Sequence, residues 1–89
     1  MFRNVRARPK APTYALRVVH GFEELSAYHR RWSDHGLPQP LEYSDMIAWL
    51  DEEGYKGDER VAALRIMRTC DTTWRRKKIE EIELNRPSR

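Results

Sequence analysis

Few side chains in this sequence stand in a pattern typical of catalysis or metal binding. The histidines are His20, His29 and His35, and the last two stand six residues apart, whereas two metal ligands on one helix are usually three or four apart. The single cysteine, Cys70, lies in an apolar helical pattern, which favours a buried structural thiol over a nucleophile. No serine stands in a Gly-x-Ser-x-Gly context. The sequence therefore predicts a protein that is not an enzyme and needs no metal or cofactor.

Four consecutive bases form the most prominent candidate for a binding surface. Arg75, Arg76, Lys77 and Lys78 follow directly after Trp74, and four consecutive residues occupy all sides of a helical turn. The run therefore cannot be only the solvated back of a helix. We predict that these four side chains contact an acidic surface on a partner.

Nucleic acid is the alternative partner. The second and third predicted helices are joined by a glycine-containing turn and could form a helix-turn-helix, in which Arg65 and Arg68 would reach a groove of DNA. The recognition helix would then begin with Asp58 and Glu59, whose carboxylates repel phosphate. This conflict favours a protein partner, although the nucleic-acid alternative stays open.

A further candidate surface lies near the N-terminus. Over residues 13–19, Tyr14, Leu16 and Val18 alternate with other side chains, a period typical of a strand or an extended arm. The sequence holds no second strand-like run. We therefore expect the arm either to pack as a lid on the helices or to add to a sheet in a partner, through these three side chains.

Charge is unevenly distributed along the chain. The net charge of +3 divides into +5 over residues 1–22, −6 over residues 23–60 and +4 over residues 61–89. An acidic middle between basic ends argues against a plain nucleic-acid binder, whose basic surface is usually contiguous. It suits a chain that docks head-to-tail on copies of itself or on a partner of mixed charge. The alternative is a solvated surface with no binding role.

Three predicted helices position these candidate surfaces. The first begins near Phe22 and ends before Gly36, a residue suited to the position that follows a helix. The second is capped by Ser44 and ended by Gly54, and the third begins near Asp58. The apolar spacing of three and four residues within each helix predicts one buried stripe per helix.

The fold class that follows is mainly α, with three parts. Residues 1–20 are expected to form an extended basic arm, residues 21–75 a three-helix domain, and residues 76–89 a charged helical tail that is partly ordered. The tail is predicted to be marginal alone because its acids lie in the last turns, where they oppose the helix dipole. The predicted core contains Trp32, Trp49, Leu64, Met67 and Trp74.

Part of the chain resembles the small tail assembly chaperones of long-tailed bacteriophages. The similar stretches are residues 40–49 (PLEYSDMIAW), Gly54, and residues 64–74 (LRIMRTCDTTW). They share with that family a proline-led short helix with an aromatic residue, a glycine stop, and a helix in which an apolar-Arg-apolar triplet precedes an Asp and an aromatic residue. The arm and the basic tail depart from the pattern. The resemblance implies a helical adaptor that binds tail-tube or tape-measure proteins and has no catalytic residues.

These observations predict a protein–protein interaction module, most consistent with a phage structural or tail-assembly accessory protein. Its expected partners are tail components or further copies of itself. The alternative is a small phage-encoded regulator or inhibitor that binds nucleic acid or a host nucleoprotein complex, as an anti-CRISPR does. No apolar run approaches the roughly 20 residues that span a bilayer, so the expected location is the bacterial host cytoplasm or the virion.

Overall fold

The computed structural model describes residues 11–86, with side chains from Ala15 onward, and this part of the chain folds into three helices. Helix α1 spans Ala11–His29, α2 spans Tyr43–Glu52 and α3 spans Gly57–Leu84. The predicted mainly α class with three helices is confirmed. The described residues form no strand, and their only bridge pairs Trp32 with Pro38 in the loop between α1 and α2. Residues 1–10 of the predicted arm lie outside the described residues.

The strand predicted over residues 13–19 is wrong, because α1 runs through it without a break. Val18 is fully buried, and Phe22 and Leu25 follow it on the same face at helical spacing. The alternation seen in the sequence is therefore part of a helical stripe. Burial of that stripe against α3 outweighs the strand preference of the valines. Proline 12 is tolerated because it lies in the first turn, where its missing N–H has no helical partner.

Helix α1 ends at His29, well before the predicted end near Gly36. The chain then makes a tight turn in which the Ser33 hydroxyl accepts hydrogen bonds from the backbone N–H groups of His35 and Leu37, at 3.2 and 3.1 Å. Gly36 has a φ of +80°, a conformation that other residues adopt at a cost. The glycine therefore serves this turn and not the helix end.

Helices α2 and α3 begin and end close to the predicted residues. The expected cap Ser44 lies inside α2, whose N-cap is Glu42 and has no side-chain cap bond, so that prediction is wrong. Gly54, at a φ of +88°, follows the helix as expected. Helix α3 starts one residue before Asp58 and continues as one helix through the predicted boundary at residue 75. At 1.5 Å per residue its 28 residues span about 42 Å.

The core lies where the three helices meet. Its buried apolar side chains are Val18, Phe22, Leu25, Leu41, Met46, Leu50, Tyr55, Ala63 and Met67. Of the predicted core, Met67 is confirmed as fully buried, while Trp49, Leu64 and Trp74 are partly buried and pack against the core. Trp32 is 48% exposed, so its prediction is wrong. Because α1 stops at His29, Trp32 lies off the helical stripe and makes a T-shaped contact with Trp74 from the loop.

Candidate functional site

A buried ion pair joins the end of α1 to the middle of α3. Arg30 Nη2 lies 2.7 Å from Asp71 Oδ1, and the two side chains are 1% and 9% exposed. Asp71 Oδ1 has no aligned hydrogen-bond donor within the described part of the chain. The short contact is therefore an ion pair held by charge rather than a directed hydrogen bond.

Hydrogen bonds attach the loop before α2 to the same pair. The Leu41 backbone N–H donates to Asp71 Oδ2 at 3.1 Å, and Arg30 Nη1 donates to the Gln39 carbonyl at 2.7 Å. Arg30 also donates through Nε and Nη2 to the Ser26 hydroxyl, at 3.2 and 3.1 Å. Buried charges are tolerated when they are paired and hydrogen-bonded in this way. The pair thus fixes the loop against α1 and α3.

Aromatic rings enclose the guanidinium of Arg30. Its Cζ atom lies 4.4 Å from the centre of the Trp74 ring and 5.9 Å from that of Phe22. A planar cation is favoured over the face of an aromatic ring, most strongly over tryptophan. With its donors and both ring contacts occupied, Arg30 serves the architecture. Sequence reasoning missed this pair, although a lone carboxylate in an otherwise apolar stripe of α3 was a usable signal.

The Cys70 thiol has the chemistry of a structural residue. Burial raises its pKa above the ordinary value of a thiol, and the nearby carboxylates of Glu23 and Asp71 raise it further. The nucleophilic form of cysteine is the thiolate, which a raised pKa disfavours. The side chain packs against the core as a small apolar group.

The predicted basic surface over residues 75–78 divides into separate parts. Arg75 Nε donates to the Pro38 carbonyl at 3.2 Å and so holds the loop. Lys78 Nζ lies 3.4 Å from Glu81 Oε1 on the same helix. Arg76 is exposed on the outer side of α3. Lys77 is also exposed, but as the next residue it projects about 100° further around the helix. These four bases therefore do not present one common surface.

The predicted arm surface is also divided. Val18 is fully buried in the core and cannot contact a partner, whereas Leu16 is 55% exposed. The side chain of Tyr14 lies outside the described residues. Because the segment is helical, Leu16 and Val18 point in directions about 160° apart rather than to one side of a strand.

The outer side of α3 carries a row of arginines, here called the basic face: Arg65, Arg68 and Arg76. They line a shallow depression of about 620 Å³ together with three threonines and the half-exposed Val61. Asp71 is the only acid among residues 60–79, and it is buried and paired with Arg30. The structure thus groups the two predicted nucleic-acid residues with one residue of the basic run.

The groove between α1 and α2 carries the opposite charge and is here called the acidic groove. Its carboxylates are Glu24, Asp45 and Glu52, and its volume is about 420 Å³. Leu25 and Trp49 supply apolar lining, and Tyr28, also in the lining, is 81% exposed. None of the three carboxylates has an ion-pair partner among the described residues.

The position of Trp49 explains why the groove keeps its shape. The indole packs directly on the backbone of Gly21 in α1, where any Cβ atom would overlap the ring. The indole also stacks on Tyr55, with ring centres 6.1 Å apart and planes inclined by 26°. Arg17 lies over Tyr55 in turn, at 5.6 Å. Sequence reasoning placed Trp49 in the core and missed the groove, because its two walls come from helices distant in sequence.

Residues 11–86 contain no group of histidine, cysteine and carboxylate side chains arranged to hold a metal ion. None of the described helices is both long and apolar enough to cross a membrane. The acidic groove and the basic face are the two candidate binding surfaces of the described residues. In comparisons with known proteins, the chain matches no protein-family model, no curated protein and no solved structure.

Proposed function

We propose that this chain is a non-enzymatic, protein-binding adaptor of phage tail assembly. The observation that carries the proposal is the acidic groove, which combines apolar lining, the exposed Tyr28 and three carboxylates that form no ion pair among the described residues. Exposed aromatic residues beside an apolar cleft are enriched at protein–protein interfaces, and surrounding charges select a partner of the opposite sign. This chemistry favours a basic protein segment that also presents an apolar side chain.

The tail-assembly context comes from the resemblance of residues 40–49 and 64–74 to tail assembly chaperones. Several residues of that pattern have architectural roles in this fold. Leu41 is buried and donates to Asp71, and Trp74 covers Arg30. In an adaptor, residues that hold the fold can follow a common pattern while residues that contact the partner differ. Here residues of the pattern hold the fold, and the groove is formed partly by residues outside the pattern. The arrangement therefore supports the adaptor proposal.

The ionisable groups away from the surface also support a role without catalysis. Arg30 and Asp71 are bound to each other and to backbone groups. The raised pKa of Cys70 keeps its thiol protonated and poorly nucleophilic at neutral pH. A reactive group needs access to substrate and a suitable protonation state, and these three side chains serve packing instead.

The test is co-purification with phage tail-tube and tape-measure proteins that are co-expressed with this chain. A groove variant, Glu24→Gln/Asp45→Asn/Glu52→Gln, removes the three carboxylates. An acid control, Asp34→Asn/Glu80→Gln/Glu83→Gln, changes the net charge equally at exposed sites outside the groove. We expect the parent and the acid control to retain a tail protein and the groove variant to lose it. Retention of no tail protein by the parent, or equal retention by the groove variant, would show the proposal to be wrong.

The basic face favours a second candidate, a regulator that binds nucleic acid. Arg65, Arg68 and Arg76 could contact three phosphates, which predicts a slope of about −2.7 for log affinity against log salt. The test is a labelled-duplex titration with a face variant, Arg65→Gln/Arg68→Gln/Arg76→Gln. A base control, Lys56→Gln/Lys77→Gln/Arg86→Gln, has the same net charge. Tight binding lost only in the face variant would establish this candidate, whereas the adaptor proposal expects no specific shift.

A further inference from the structure

The basic face and the acidic groove complement each other in sign and in number of charges. Each presents three charged side chains of one sign, and neither set contains an ion pair within the described residues. Along α3, Arg65 and Arg76 at the two ends of the basic face are about 16 Å apart, and along α2, Asp45 and Glu52 are about 10 Å apart, at 1.5 Å per residue. Arg68 and Arg76, about 12 Å apart, are the pair of arginines whose spacing comes nearest to that of Asp45 and Glu52.

The two surfaces cannot meet within one molecule. On α3, the buried residues Ala63, Met67 and Asp71 face α1 and α2. At 100° per residue, Arg65 and Arg76 project from the opposite side of the helix, and Arg68 projects from its flank, about 100° from the buried side. The groove is formed only by α1 and α2, so the basic face of a molecule points away from its own groove.

We propose that the acidic groove accepts the basic face of α3 from a second copy of this chain. This inference rests on the proposed function of the groove as a protein-binding site, and it names the occupant. Arginines of one copy lie beside the carboxylates of the next, while the exposed Tyr28 and Val61 lose solvent at the contact. A helix laid into a groove between two helices is a common mode of recognition.

The assembly that results is head-to-tail. Because the two contacting surfaces differ, each added copy leaves one groove and one basic face open, so growth continues unless the rotation closes a ring. A partner that offers a basic helix competes with a second copy for the terminal groove. Screening by salt weakens the contact, since its charges lie at the surface.

The experiment measures molar mass by light scattering at about 0.05 M salt and several protein concentrations. We expect the mass of the parent to rise with concentration. The groove variant and the face variant are each expected to remain monomeric, and an equimolar mixture of them to stop at a dimer with one intact contact. The acid control and the base control should associate as the parent does. Circular dichroism melts confirm that every variant is folded.

Three results would overturn the inference: a parent that stays monomeric, a groove or face variant that associates like the parent, or a mixture that forms no dimer. Failure here can be told apart from failure of the adaptor proposal. A parent that stays monomeric but retains a tail protein through the groove contradicts self-association alone. A parent that associates through the groove but retains no tail protein contradicts the tail-assembly role alone.

Discussion

Arg30 and Asp71 are 41 residues apart in the sequence, yet their side chains meet at 2.7 Å in the interior of the fold. The pair connects α1 to α3, and Asp71 also binds the Leu41 backbone at the start of the segment leading to α2. Replacing one member leaves the other charge buried without its counter-ion, which costs more than the pair itself contributes. The pair is therefore a point at which the fold is sensitive to a single substitution.

We predict that Asp71→Ala lowers the free energy of unfolding by about 3–5 kcal/mol, because it strands the Arg30 guanidinium in a buried site. Asp71→Asn should cost less, since its side-chain oxygen can still accept from the Leu41 N–H. The double replacement Arg30→Met/Asp71→Leu should recover much of the loss, because apolar side chains have no charge to desolvate. Urea denaturation of the three variants measures these values. Equal midpoints for Asp71→Ala and the parent would contradict the prediction.

A matched pair of leucines tests the position of the core. Leu50 is fully buried and Leu84 is 85% exposed, so the same truncation should have very different effects. Leu50→Ala is expected to cost about 2–5 kcal/mol through lost burial and the cavity left behind. Leu84→Ala should change the free energy of unfolding by less than about 0.5 kcal/mol. Thermal melts of the two variants compare them directly, and similar losses would show that the core is wrongly placed.

The contact between Gly21 and Trp49 predicts that the effect of Gly21→Ala on stability depends on whether residue 49 is Trp or Ala. In the parent, Gly21→Ala should destabilise by about 1–3 kcal/mol, because its Cβ overlaps the indole ring. In a Trp49→Ala background the space is open, and the same change should stabilise by up to about 1 kcal/mol through helix propensity. A double-mutant cycle in urea measures both values. Destabilisation of equal size in the two backgrounds would exclude the proposed overlap.

The sequence was sufficient for the parts of the fold that local signals define. Gly54, with its positive φ, and the acids Asp58 and Glu59 mark the passage from α2 to α3 within the chain itself. The alternation around Val18 was ambiguous, because the same residue also belongs to a helical stripe with Phe22. Only the burial of that stripe decides between the two interpretations.

The functional surfaces were harder to predict than the helices. Arg65, Arg68 and Arg76 share a helical face, which a helical register over residues 57–84 would have indicated. The acidic groove depends on how α1 packs beside α2, and Trp49 seated on Gly21 decides this. Such a contact between distant residues leaves no periodic signal in a single sequence.

Cys70 predicts a pH dependence of both reactivity and stability. Burial, with Glu23 and Asp71, raises the pKa of the folded thiol, while the unfolded thiol titrates near 8.5. As the pH rises, the unfolded chain therefore loses this proton before the folded chain does. The contribution of the protonated thiol to the stability of the fold is present at neutral pH, declines above about pH 8.5, and is gone once the pH has passed the folded pKa. Iodoacetamide labelling should be slow at pH 8 and fast in urea. A Cys70→Ala variant lacking this alkaline loss is the control, and rapid labelling of the folded parent would refute the prediction.

Arg75 and Arg76 are neighbours in the sequence, but the structure gives them different tasks. Arg75 donates to the Pro38 carbonyl and is partly buried, whereas Arg76 is exposed in the basic face. We expect Arg75→Gln to lower the free energy of unfolding by about 1 kcal/mol, the usual contribution of one such hydrogen bond. Arg76→Gln should leave stability unchanged and instead lower self-association measured by light scattering. If both variants melt alike and associate alike, the four bases act as one solvated turn, and the division between loop anchor and basic face is wrong.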